Sequence, residues 1–268
     1  MNETKKNTVL STLQASEALR NLYTVRDFID YGTKLFGESG LFFGHGTDNE
    51  FDEAVFMVLE GLHLPVHELE PYWDKHLTEE ERIHIASLLH RRADTRLPAS
   101  YILNKAYIQG FPFYVDERVL VPRSFIAEIL CRDDGFSGIR DYDAVGSVLD
   151  LCTGSGCLGI IAAEIFPNAK VDIADLSADA LEVARRNVRD YGLEDRVHIH
   201  QGDLFAPLKG KTYDLIITNP PYVDDEGMDA LPEEYRHEPA MALGGVGADG
   251  GDEVHGGPKV DDHRWHPS

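Results

Sequence analysis

Between Thr12 and Phe36 the apolar residues Leu19, Leu22, Val25, Phe28, Ile29 and Phe36 recur mostly three or four positions apart, and Gly37 to Gly40 end the pattern. This spacing predicts an amphipathic helix that stops near Gly37. After Gly44-His45-Gly46-Thr47, Asp48 can cap a second helix with a stripe through Phe51, Ala54, Val55, Val58 and Leu59, closed by Gly61 and Pro65. Thr78 and Glu81 stand at capping-box spacing, so that each side chain satisfies an orphan amide at the start of a third helix reaching about Arg92. The first hundred residues therefore predict a helical domain, ending near Pro98.

The pattern changes between Tyr107 and Val121, where aromatic and β-branched residues predict a hairpin, with Asp116-Glu117-Arg118 as its polar turn and Pro122 as a stop. Beyond Asp143, strands predicted at 145–151, 169–175, 196–201 and 213–219 alternate with helical segments, which indicates a mainly parallel sheet with helices on its faces. Ser177 caps the helix that follows the second strand, with Leu181, Ala184, Val188 and Tyr191 on one face and Gly192 at its end. The fold class is α/β, a Rossmann-like domain preceded by an α-helical domain and a linking β-hairpin. The expected boundaries are 1–105 for the helical domain, 106–125 for the linker and 126–243 for the α/β domain. Residues 244–268 form a Gly-, Asp- and His-rich tail with too few apolar residues to build packed structure.

Composition narrows the partners. Of the 268 residues, 43% are hydrophobic and 27% charged, which suits a soluble globular protein. A net charge of −22 repels a nucleic-acid backbone and fits either a basic protein partner or solubility alone. Met1 to Thr8 is polar and no apolar run approaches the length of a bilayer, so the expected location is the cytoplasm and no membrane partner is expected. Cys131, Cys152 and Cys157 are too few and too odd for a disulfide framework, and read as reduced thiols. His63 and His67 are separated by Pro65 and lack companion ligands, so no metal site is expected.

The candidate chemistry lies at two strand ends. Asp150 to Gly159, with Thr153, Gly154 and Gly156 as expected cofactor contacts, joins the first strand to a helix beginning near Leu158. Small residues there let the backbone approach a ligand at the carboxyl end of the sheet. Gly154, Gly156 and Gly159 also match a dinucleotide fingerprint, which keeps a nicotinamide cofactor open. The charge of Asp150 ahead of the glycines disfavours a pyrophosphate and suits the ammonium of a methionine moiety, which favours S-adenosylmethionine. Asp175, ending the next strand, is placed to bind ribose hydroxyls or to cap the helix after it. Asp203, ending the third, accepts from an adenine amino group or occupies a turn.

The fourth strand ends in Thr218-Asn219-Pro220-Pro221-Tyr222. The two prolines remove N–H donors, so the exposed groups are mostly acceptors: the Asn219 side-chain oxygen, which also abuts the cofactor loop, and the Pro220 carbonyl. Such a site suits a planar NH2 group, with Tyr222 packing on its flat face. The bland alternative is a Pro-rich turn after a buried strand.

Together these motifs resemble the bacterial glutamine N(5)-methyltransferases from about Thr24 to Leu243. Gly44 to Asn49, Phe113 to Ser124, Asp150 to Gly159, Asn219 to Val223 and Glu234 to Pro239 make the resemblance closest to the branch acting on ribosomal protein L-three. The release-factor branch usually has Pro-Glu-Thr-Glu after the Pro-Arg pair, where this chain has Ser124-Phe125-Ile126-Ala127 after Arg123. The resemblance implies a helical domain that recognises the protein substrate and a seven-stranded methyltransferase domain using S-adenosylmethionine. A release factor is the alternative protein substrate. A nucleic-acid amino-methyltransferase, which would flip its base out of the stack, and an inactive cofactor-binding protein are the rivals. After Leu243 the family pattern continues through a helix and three strands that Gly244 to Ser268 does not repeat. This reads as a truncation or frame shift near Gly244, leaving the fourth strand with an open apolar edge.

Overall fold

A computed structural model describes residues 21–132, 139 and 141–244. The expected helical turns before residue 21 and the tail beyond 244 lie outside them. Thr24 caps the first helix, α1 (Val25–Glu38), through a complete capping box with Asp27. The second helix, α2 (Glu50–Gly61), is capped by Asn49 rather than by Asp48: the Asn49 side-chain oxygen accepts from the Asp52 N–H at 2.9 Å, and Asp48 stays exposed in the loop. α3 (Glu79–Thr95) starts at the expected Thr78–Glu81 box and continues past Arg92, and the short α4 (Ala99–Leu103) follows Pro98.

These helices enclose a core that includes Phe28, Phe36, Met57, Leu59, Ile85 and Leu89. One ion pair is buried inside it. Arg92, 1% exposed, donates to Glu53 at 2.5 Å and to the Phe42 carbonyl at 3.1 Å, while Thr47 donates to the other Glu53 oxygen at 2.7 Å. The pair thus fixes the loop between α1 and α2.

The hairpin is shorter than its sequence pattern predicts. β1 (Ala106–Ile108) pairs antiparallel with β2 (Phe111–Phe113). The chain reverses at Gln109-Gly110, with φ of 50° and 81°, rather than at Asp116-Glu117-Arg118. Positive φ at both central residues is what a two-residue hairpin turn requires, and glycine adopts it without strain. Asp116 to Arg118 make a separate turn, held by the Arg118–Asp116 ion pair. α5 (Phe125–Leu130) then leads to the sheet.

The sheet contains β3 (Ser147–Leu151), β4 (Lys170–Asp175), β5 (Val197–Gln201) and β6 (Leu215–Thr218), all parallel, in the order β5-β4-β3-β6. α6 (Cys157–Ile165) and α7 (Ala178–Asp190) make the crossovers, and Ser177 caps α7 as expected. Val148, Ile160, Ile161, Val171 and Ile173 fill the second core. Among the described strands β6 pairs only with β3, and Ile216 is 49% exposed, so this edge is open and apolar. After β6 come α8 (Asp225–Ala230), a tight turn at Glu233–His237 and α9 (Ala240–Gly244), which bring the chain back against the helical domain. Among the described residues no helix is long and apolar enough to cross a membrane.

Glu53→Ala leaves the Arg92 guanidinium buried without its carboxylate, which should cost about 3–5 kcal/mol. A clear fall in the urea midpoint is expected. An unchanged midpoint would mean that the pair contributes nothing to folding.

Candidate active site

Leu151 stands opposite Thr218 in the β3–β6 register, so the two strands end level and the segments beginning at Cys152 and Asn219 leave side by side. β3 has β4 on one flank and β6 on the other, and this reversal of strand order opens the crevice in which such sheets bind ligands. A cavity of about 720 Å³ lies there, bounded by the glycine loop, Asp175, Asp203, Asn219 to Val223 and the Arg118–Ile126 segment.

The loop is shaped by close packing. Gly156 caps α6 with φ of 82°, and at Gly159 an added Cβ would sit 2.4 Å from Ile173, so only glycine lets the helix lie this close to β4. Asp150 departs from the expected role. It is fully buried behind the loop and is not part of the cavity wall. One oxygen accepts from the Thr153 hydroxyl and from the Gly159 N–H at 2.9 Å, while the other has no hydrogen-bond partner. Burial pushes this carboxyl up to about 7, against the hydrogen bonds that pull it down. Asp150 therefore holds the loop closed from behind instead of meeting an ammonium directly.

Thr153, Gly154, Asp175, Asp203 and Asn219 do line the cavity, as does Gly156's neighbour Cys157. The two Asp175 oxygens accept from the Gly154 and Ser177 N–H groups, each at 2.9 Å, so this carboxylate fixes the turn that leads into α7, whose cap is Ser177, and steadies the loop. Each oxygen keeps a lone pair for a ligand hydroxyl. Cys152 and Cys157 are free thiols in half-buried and buried positions, both pushed upward by burial.

On the other wall, the Asn219 side chain and the Pro220 carbonyl have no hydrogen-bond partner among the described residues, and Tyr222 is 81% exposed. The Tyr222 and Val223 N–H groups donate to the Leu243 carbonyl at 3.1 and 3.0 Å, pinning the exit of this segment to α9. These acceptors are thus held in place but remain unused.

Three residues that shape the site were not singled out as candidates from the sequence. Glu238, 4% exposed, takes two hydrogen bonds from Arg123 at 2.6 and 2.7 Å and one from the Val121 N–H at 2.9 Å. Burial by itself would raise this carboxyl, but Arg123 and His45 outweigh it and hold it near 2. Arg123 lines the cavity. Asn187 on α7, 1% exposed, bonds both Tyr114 backbone groups and the Ser155 carbonyl, joining the loop to the chain after β2. A lone amide beside the apolar stripe of Ala184 and Val188 was its available signal. Among the described residues no cluster of His, Cys, Asp and Glu is arranged to hold a metal.

A family model described as the methyltransferase small domain matches residues 139–235. The chain is 53% identical over 239 residues to a ribosomal protein uL3 glutamine methyltransferase of Burkholderia pseudomallei, covering 86% of this chain and 77% of that protein. It is 52% identical over 236 residues to the protein of the same name from Neisseria gonorrhoeae, covering 88% and 78%. A third, from Bradyrhizobium diazoefficiens, is 52% identical over 238 residues, covering 87% and 74%.

The raised Asp150 carboxyl has a thermodynamic signature. Its folded value lies above the unfolded 3.8, so its contribution to stability is fully present below 3.8 and is lost as pH rises through about 7. Between about pH 4 and about pH 8 the wild type should therefore lose stability relative to Asp150→Asn, measured by urea unfolding at each pH. Parallel curves for the two proteins would contradict the burial effect.

Proposed function

Because the chain belongs to the family of ribosomal protein uL3 glutamine methyltransferases, we propose that it methylates the side-chain amide nitrogen of a glutamine in uL3, the L-three protein. The observation that carries this reading is the pair of unused acceptors, Asn219 Oδ1 and the Pro220 carbonyl, at a strand end level with the glycine loop. The cofactor is S-adenosylmethionine, and the residues fit it. Asp175 offers free lone pairs to ribose hydroxyls, Asp203 offers an acceptor for an adenine amino group, and Thr153 and Gly154 line the close backbone turn, which Gly156 closes from outside the cavity wall by donating its N–H to the Thr153 carbonyl. When bound, it supplies a methyl group on a positively charged sulfur.

The protein's own task is to make an amide nitrogen reactive. Its lone pair is delocalised into the carbonyl, so it is a weak nucleophile. Asn219 and Pro220 accept its two N–H bonds, fix its orientation, favour a pyramidal nitrogen and stabilise the positive charge that develops there. Tyr222 lies along the planar amide. Alignment in a shared cavity then supplies much of the rate. Methylation makes the nitrogen acidic, and its proton passes to water.

We assign residues 1–105 to recognition of the protein substrate, 106–125 to the link and 126–243 to the transfer chemistry. Labelled S-adenosylmethionine incubated separately with uL3, a release factor and DNA tests the reading. Label on uL3 supports it, and label on either of the others, or on none, overturns it. Asn219→Ala should lower kcat by about 10²–10³-fold with cofactor affinity nearly unchanged. Equal losses in both would make Asn219 structural. Asp175→Ala should weaken cofactor binding by about tenfold or more, as read by equilibrium titration, and unchanged affinity would remove it from the site.

A further inference from the structure

The Arg118–Ile126 wall of the large cavity carries two cations, Arg118 and Arg123. Arg118 closes its Nε–Nη2 edge on Asp116, at 2.9 and 2.6 Å. Arg123 uses a different edge. Its Nη1 donates to Glu238 at 2.6 Å and to the Val121 carbonyl at 3.1 Å, and its Nη2 donates once, to Glu238 at 2.7 Å. A guanidinium has five N–H donors in one plane, so the Nε–H and the second Nη2–H, which lie side by side, have no partner among the described residues. Glu238 and Tyr235, which take one edge and one face of the group, stand outside the cavity lining. We infer that the free edge of Arg123 holds the α-carboxylate of the cofactor's methionine moiety, an inference that rests on the S-adenosylmethionine site described above.

The other groups of the cavity leave the amino-acid end of the cofactor to this wall. Asp175 ends β4 and Asp203 follows β5, on one side of the glycine loop, and these two are assigned the adenosine half. Asn219 follows β6 on the other side, where the methyl group must meet the amide. The α-carboxylate is repelled by Asp175 and Asp203, and a carboxylate taken out of water without a partner is strongly disfavoured. It therefore needs the wall that carries the cations.

The free edge also discriminates between the two kinds of oxygen brought into the cavity. Its two parallel N–H groups match the two oxygens of a carboxylate. On the glutamine carbonyl, the same cation would draw the nitrogen lone pair further into the amide and weaken the nucleophile that Asn219 and Pro220 prepare. Glu238, whose side chain is fully buried, fixes the guanidinium through its other edge, so the free edge is set before any ligand arrives. One guanidinium thus serves two carboxylates, one on each edge.

Equilibrium titration of the full chain with S-adenosylmethionine and with its decarboxylated analogue tests the inference without turnover. The wild type should bind the complete cofactor about tenfold or more tighter than the analogue, as expected for hydrogen bonds between charged groups. Arg123→Lys keeps a cation for Glu238 but lacks the fork, and should lose this preference while binding the analogue as the wild type does. In the wild type carrying ¹⁵N-labelled arginine, the Arg123 Nε–H resonance should move with the complete cofactor and much less with the analogue, a readout that needs no variant. Equal affinity of the wild type for the two ligands overturns the inference, as does an Arg123 resonance that responds to both alike. Weakening of both ligands by the same factor in Arg123→Lys also overturns it, and makes the residue purely structural. An intact preference together with a raised KM for uL3 in that variant gives the edge to the protein substrate instead. If uL3 is not methylated although the cofactor binds with this preference, the substrate reading falls and the carboxylate contact stands.

Discussion

The buried carboxylate of Glu238 joins parts of the molecule that are far apart in sequence. It accepts from Arg123 through both oxygens, takes the Val121 N–H, and approaches His45 of the helical domain. Five residues later in the same segment, the Leu243 carbonyl holds the N–H groups of Tyr222 and Val223. Removing one partner of such a pair leaves a buried charge alone, a loss of about 3–5 kcal/mol. The transfer segment therefore keeps its position because a carboxylate downstream of it is anchored to the linker and the helical domain. Glu234 reinforces this connection: fully buried, it accepts from the Phe42 N–H at 2.9 Å and pairs with Arg96 at 2.6 Å.

From this anchorage follows a division between two walls. The glycine loop is held from inside its own domain by Asp150 behind it and Asp175 beside it, and Asn187 ties it to Tyr114 of the linker. The Asn219 wall depends on contacts reaching into the helical half. The amide acceptors are thus connected to the helical half, whereas the carboxylates that hold the cofactor loop, Asp150 and Asp175, lie within the α/β domain.

Much of this was legible in the sequence because it is local. The Thr78–Glu81 box, Ser177 with α7, and the four strands follow from capping chemistry and periodicity, which need only a few neighbouring residues. The two strand-end motifs were visible as well, since short motifs keep their spacing in the fold. What sequence could not place depends on distance in space. Asp150 reads as a charge facing ligand until α6 packs over it at Gly159 and seals it. The hairpin was misplaced because the polar run at Asp116 to Arg118 is a stronger compositional signal than Gln109-Gly110, yet backbone twist favours the latter. Arg123 and Glu238 lie 115 positions apart, so nothing local announces their pairing.

The central claim is that the methyl acceptor is an amide nitrogen held by Asn219 and Pro220. Its most direct test is acid hydrolysis of uL3 after transfer from methyl-labelled S-adenosylmethionine, because an N-methyl amide releases methylamine on hydrolysis whereas methyl-lysine and methyl-arginine retain the label. The account predicts volatile labelled methylamine and unlabelled glutamate. Label remaining on an amino acid would contradict it.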